Sequence, residues 1–205
     1  REAKKQSDEL VHCTTMYYHP VPAQLAEELV AKMPPGEDWV VHFVNSGAEA
    51  VDLAVLMARL YTGNFDIIAL RNSFHGLHFA SMSLTGIHSC RHAVPGIPGV
   101  LHTHNPDQYR GIHGATVAPY VQELDLVIKS STPGQVAGFL AEPIQGYGGV
   151  IPLPPGYLEG AFKLIRAAGG VCIVDEIQTG FGRMGSHYWG FEGHGVVPDV
   201  AVMAK

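Results

Sequence analysis

An α/β fold, with a mainly parallel sheet between helices, is predicted by two features of the sequence. Short apolar runs that lack the alternation of a half-solvated strand take turns with amphipathic helical patterns, as in a parallel sheet covered by helices on both faces. The polar residues able to do chemistry follow the apolar runs, where the carboxyl ends of strands in open α/β sheets present a ligand crevice.

In chain order, Leu25, Leu29 and Met33 share one helical face, and Val40–Val44 is the first strand candidate. Ala50 to Leu60 is apolar nearly all round, which predicts a central helix buried on several sides. Ile67–Leu70 is the next strand. The stretch from Gly86 to Gly114 is rich in Gly, Pro and His, so it reads as irregular excursions around a short strand near Val100. Val121, Leu124 and Ile128 mark a helix, Val136–Ala141 a strand, and Leu158, Phe162 and Ile165 another helix. Val171–Val174 and Val200–Ala204 complete the strands. Residues 1–20 are expected to be a partial N-terminal segment and 21–205 one large domain.

Composition narrows the function classes. With 46% hydrophobic and 16% charged residues in 205, the chain can bury a real core. The net charge is -6, and no basic run extends beyond Lys4-Lys5, which argues against nucleic acid and anionic membrane surfaces as partners. No apolar run approaches the roughly 18 residues of a membrane span. The three cysteines, Cys13, Cys90 and Cys172, form no CxxC pair and suit a reducing compartment. His102 and His104 share a strand face, and His75 and His78 lie near one helical face, but none has a partner at metal-ligand spacing, so no metal site is predicted. The chain lacks an initiator Met, and its last apolar run stops without a turn, which reads as a fragment.

Five motifs carry candidate chemistry. Asn45-Ser-Gly-Ala-Glu49 opens the Ala50–Leu60 helix. Free N–H groups, the helix dipole, Gly47 and the Ser46 hydroxyl make a seat for phosphate, although the same residues spell a capping box with Ser46 as N-cap. Phe74-His-Gly76 offers an aromatic ring for a flat heterocycle, with His75 to orient or assist, or else only satellite core. In Ala141-Glu-Pro-Ile-Gln-Gly146, Glu142 and Gln145 are either hydrogen-bonding supports or a solvated strand end.

Asp175 directly follows the apolar run Val171-Cys-Ile-Val174, where a carboxylate is costly unless a cation meets it. A protonated pyridine nitrogen is one such cation, and Mg²⁺ held with Glu176 is another. No GxxxxGK[ST] motif precedes these acids to support a nucleotide. Lys205 ends the apolar run Val200-Ala-Val-Met-Ala. It is either a desolvated amine able to attack a carbonyl or a lysine at a solvated loop start.

These motifs in this order resemble the class III pyridoxal-phosphate-dependent aminotransferases, from about Pro20 onward. The stretches Tyr61-Thr-Gly-Asn64, Asn105-Pro-Asp-Gln-Tyr-Arg-Gly111 and Gly185-Ser-His-Tyr-Trp-Gly-Phe191 are most similar to its alanine-glyoxylate branch. The resemblance implies a fold-type I large domain, cut before a smaller C-terminal domain, and the cofactor pyridoxal 5′-phosphate. It also implies a homodimer or dimer of dimers with sites at the interface, small amino acid and oxo acid substrates, and a mitochondrial location.

By matching positions, Ser46, Gly47 and Ala48 would bind the phosphate, Phe74 would stack on the ring, Asp175 would pair with its nitrogen, Gln178 would reach its phenolic oxygen and Lys205 would carry it. The implied reaction moves an amino group from a donor such as alanine to an acceptor such as glyoxylate. Another class III reaction, such as ω-amino acid transamination, or an inactive fragment, stands as the alternative. Two departures from the family pattern are Tyr147, where many ω-amine enzymes carry Glu, and Phe74, where Tyr is usual.

Overall fold

The computed structural model describes all residues from Arg1 to Lys205 and divides into two compact units, Arg1–Phe43 and Val44–Lys205. The first unit holds two helices, α1 (Glu2–Glu9) and α2 (Pro20–Val30). In α2 a proline sits in the first turn, where no N–H is needed, and the His19 ring accepts from Val21 N. Met33, expected on the same helical face as Leu25 and Leu29, lies past the end of α2.

In the second unit the apolar runs pair into one five-stranded sheet. Its strands are β1 (Ile67–Leu70), β2 (Val100–Thr103), β3 (Gly138–Ala141), β6 (Val171–Asp175) and β7 (Val200–Val202), in the order β2-β1-β3-β6-β7. Every pairing is parallel, with Leu70 opposite Thr103, Ala69 opposite Leu140, and Val174 opposite Ala201. β1, β3 and β6 are buried along their whole length, which explains why their sequences do not alternate.

Helices cover both faces. Ile67, Ala69, Leu140, Val171, Ile173 and Val202 pack with Val51, Ala54, Val55 and Ala58 of α3 (Gly47–Thr62) and with Ala80 and Leu84 of α4 (Phe79–Leu84). On the opposite face lie α5 (Val117–Ser131) and α6 (Tyr157–Ala167); of their expected apolar residues Leu124, Ile128, Leu158, Phe162 and Ile165 are buried and Val121 is half-buried. Each such aliphatic or aromatic side chain contributes about 1.5–3 kcal/mol of transfer free energy.

Two expectations fail. Val40–Val44 is not a strand: it pairs with nothing, and Val40, Phe43 and Val44 are exposed. An apolar run records a preference, but a strand needs a neighbouring edge for its backbone groups. α3 is not buried on several sides. Its small residues face the sheet, whereas Leu56, Leu60 and Tyr61 on the other side are exposed.

One element escapes any pattern reading. β4 (Ile144–Gln145) and β5 (Ile151–Pro152) form an antiparallel hairpin outside the main sheet. Two residues per strand are too few to show a period.

The chain runs from β1 outward to β2 and then returns to place β3 on the other side of β1. That reversal opens a crevice at the carboxyl ends of β1 and β3, the position where such sheets bind ligands.

Candidate active site

The loop after β1 and the turn after β6 close on the start of α3. Gly76 has φ of 118°, and a Cβ there would stand 2.7 Å from the Ala48 Cβ. Only glycine therefore allows this approach. From the other side, a Cβ on Gly47 would stand 2.8 Å from Ile177 Cδ1 and 3.4 Å from the Ala204 Cβ.

The first turn of α3 is capped. Ser46 Oγ accepts from Glu49 N at 3.1 Å, and Glu49 Oε2 accepts from Asn45 N at 2.6 Å. Only the Ser46 half of the expected capping box forms, because the glutamate accepts from Asn45 N, one residue before the N-cap. The cap leaves the Gly47 and Ala48 amides of the first turn without an intrahelical acceptor, so the capping and anion-seat readings of this motif are compatible.

Asp175 ends β6 and is 3% exposed. Its Oδ1 accepts from Ile177 N at 3.0 Å, and its Oδ2 lies 2.7 Å from His75 Nδ1. In the tautomer that satisfies this contact, Nδ1 carries the proton and donates it to the carboxylate. A carboxylate offers about four acceptor sites, so Asp175 keeps capacity for another donor. His75 is itself buried, its backbone N–H donates to Thr85 Oγ1, and its Nε2 has no partner. The pairing of His75 with Asp175 joins residues 100 apart in sequence, and no local motif announces it.

Glu142 and Gln145 are buried, not solvated. Glu142 accepts from Phe74 N at 3.0 Å and Gly146 N at 3.1 Å. Burial pushes its carboxyl above the usual range, with His75 and the Phe74 N–H pulling the other way. Gln145 donates to Arg71 O and accepts from Asn105 Nδ2. The Phe74 ring lies 5.1 Å from that of Tyr147, tilted by 35°.

Gln178 is exposed in the turn after β6, with its amide oxygen packed so closely on Gly146 that a Cβ there would overlap it. Lys205 lies three residues past β7, its N–H 3.3 Å from Ile177 O. Its side chain is exposed, so the desolvation expected from its apolar run is not supplied by this chain.

The fold therefore gathers Ser46, Gly47, Ala48, Phe74, Asp175, Gln178 and Lys205 around the carboxyl ends of the strands. Pyridoxal phosphate fits this donor set: a capped helix start for the phosphate, a ring for the heterocycle, a buried carboxylate with acceptor sites to spare, and a primary amine. Glu142 and His75, which the motifs offered as supporting groups, bond Phe74 N and Asp175.

Comparison with known proteins agrees. The aminotransferase class-III family model matches residues 1–205. Mitochondrial alanine–glyoxylate aminotransferase 2 of Homo sapiens is 41% identical over 99% of this chain and 44% of its own length. Its homolog 2 of Arabidopsis thaliana, also named mitochondrial, is 46% identical over 98% of this chain and 41% of its own. Among solved structures, an (S)-enantioselective ω-transaminase from Thermomicrobium roseum superposes with a TM-score of 0.92 at 32% identity, covering 99% of this chain and 48% of that one. The ω-transaminase of Pseudomonas jessenii in complex with PMP gives 0.89 at 33% identity, covering 99% and 48%. The chain spans less than half the length of each relative.

Proposed function

The chain belongs to the class-III aminotransferases, and on that premise we propose that the protein is a pyridoxal-phosphate-dependent transaminase moving an amino group from a small amino acid such as alanine to an oxo acid such as glyoxylate. The carrying observation is Asp175, a buried carboxylate at the end of the inner strand β6, bonded to His75 and Ile177 N with acceptor capacity left over.

When bound, the cofactor supplies an electron sink for the carbon that loses its proton. The start of α3, with Ser46, Gly47 and Ala48, would hold the phosphate. Asp175 would keep a proton on the ring nitrogen by its charge, with His75 fixing the carboxylate's orientation. Phe74 would hold the ring flat, and Gln178 would bond the phenolic oxygen. Lys205 Nζ would carry the cofactor covalently and, once the donor amine displaces it, accept the proton from the donor Cα. Tyr147 brings no charge beside Phe74, which favours donors with an α-carboxylate.

A homodimer is proposed as the working state, supported by the exposed apolar face Leu56, Leu60 and Tyr61 of α3. A mitochondrial location is proposed from the two named relatives.

Borohydride reduction of the loaded full-length protein, followed by peptide mapping, should label Lys205, and Lys205→Ala should abolish both label and transamination. A label on another lysine would refute the assignment.

A further inference from the structure

Glu142 is the buried group whose geometry the reaction scheme leaves unused. It follows β3, is 5% exposed, and divides its two oxygens between two loops. Oε1 accepts from Phe74 N at 3.0 Å, in the loop after β1, and Oε2 accepts from Gly146 N at 3.1 Å, in the turn between β4 and β5. β1 and β3 are neighbours in the sheet and flank its topological reversal. One carboxylate therefore ties the two walls of the crevice together.

The same two walls share two further bonds. Asn72 Nδ2 donates to Gly148 O at 2.8 Å, and Gln145 Nε2 donates to Arg71 O at 2.9 Å. What Glu142 adds is attachment at the residues that aim the rings: Phe74 itself, and Gly146, which precedes Tyr147. The two rings stand 5.1 Å apart, within the range of a packed aromatic pair. Each oxygen has one backbone N–H donor, and a carboxylate acceptor strengthens such bonds.

We propose that Glu142 is a positioning residue. Through the Phe74 backbone it sets the plane of the ring that stacks on the cofactor, and through Gly146 it sets Tyr147 against that ring. The proposal rests on the reading of Phe74 as the stacking residue.

Glutamine at this position has one acceptor oxygen and an NH₂ group, so it can serve only one of the two N–H donors and presents a donor to the other. In the full-length protein, Glu142→Gln should weaken cofactor affinity about tenfold, measured by titrating the apo form. Phe74→Leu should have an effect of similar size, and the double variant should be little worse than the weaker-binding single variant, because both act through one ring.

Amide hydrogen exchange of the apo protein gives a readout independent of turnover. The Phe74 and Gly146 amides should be protected in the wild type, and one of them should lose protection in Glu142→Gln. Glu142→Asp keeps the charge but is one methylene too short to span both donors. It should show an intermediate loss of affinity and keeps the test usable if Glu142→Gln does not fold.

Unprotected wild-type amides, additive effects in the double variant, or wild-type affinity in Glu142→Gln or Glu142→Asp while Phe74→Leu binds weakly, would each overturn the positioning role and leave the stacking role standing. Wild-type affinity in Phe74→Leu would overturn the stacking role and the proposal with it.

Discussion

Asp175 and Glu176 are adjacent, both buried and both acidic, yet they serve opposite sides of the β6 end. Glu176 has three of its roughly four acceptor sites filled by the fold. Its Oε2 accepts from Thr179 Oγ1 at 2.7 Å and Gly190 N at 2.8 Å, and its Oε1 accepts from Phe191 N at 2.8 Å. It anchors the 3-10 turn Gly190–His194, beside the fully buried Trp189 and Phe191. Asp175 has one backbone donor and one histidine, and its remaining acceptor sites are open. Burial therefore does not separate the carboxylate proposed to meet the cofactor from the one that holds the fold. What separates them is how much of the acceptor capacity the fold itself has filled.

Three measurements would break or sharpen this contrast. The largest effect should come from Glu176→Ala, which strands three donors in the interior. A loss of about 3–5 kcal/mol is expected in urea unfolding, with kcat of the surviving folded protein nearly unchanged. A catalytic defect without a stability defect would reverse the roles of the two acids.

Asp175→Asn should do the converse. The amide oxygen can still accept from Ile177 N, so the melting temperature should hold, while turnover should fall roughly 10- to 1000-fold, the span of one to three pKa units that an opposite charge supplies. Unchanged turnover would remove Asp175 from the site.

The smallest effect concerns histidines on the two sides. Burial lowers the pKa of His102, whose Nε2 donates to Leu84 O, and that of His194, which bonds Pro143. The unfolded chain binds these protons near pH 6.5 and the folded one only below it. Their contribution is thus present above 6.5 and lost as pH falls through the folded values. Burial raises Glu142 and Glu176, so their contribution is present below the ordinary carboxylate value and lost as pH rises through the folded ones. These opposing slopes call for a difference measurement. His102→Gln keeps a donor for Leu84 O but cannot be protonated, so its stability deficit relative to the wild type should shrink as pH drops below 6.5. A constant deficit would show that His102 does not titrate between the folded and unfolded states.

The strands β1, β3 and β6 were legible because burial on both faces leaves an unbroken apolar run, and Phe74, Glu142 and Asp175 stood out as candidates because they lie at or just past the ends of those runs. His75 and Glu142 were named by their motifs as supporting groups, but their partners were not legible. His75 meets Asp175 across 100 positions, and Glu142 meets Phe74 across 68, contacts that only the sheet order creates. The two-residue strands of the hairpin carry no period. At Val40–Val44, composition suggested a strand where no edge was available, and the outward face of α3 looked like core because hydrophobicity records that a residue avoids water without recording what covers it. Lys205 is exposed, the second of the two readings that its apolar run left open.

The cap at the start of α3 has a consequence for how a ligand loads. The bonds from Glu49 N to Ser46 Oγ and from Asn45 N to Glu49 Oε2 hold the first turn in its final shape before any anion arrives. Loading is then docking onto a preorganised surface, and no local folding has to be coupled to the encounter. The ordering entropy that a floppy loop would subtract from affinity is already spent when the helix forms. A phosphate bound as proposed would meet amides that the cap has already oriented.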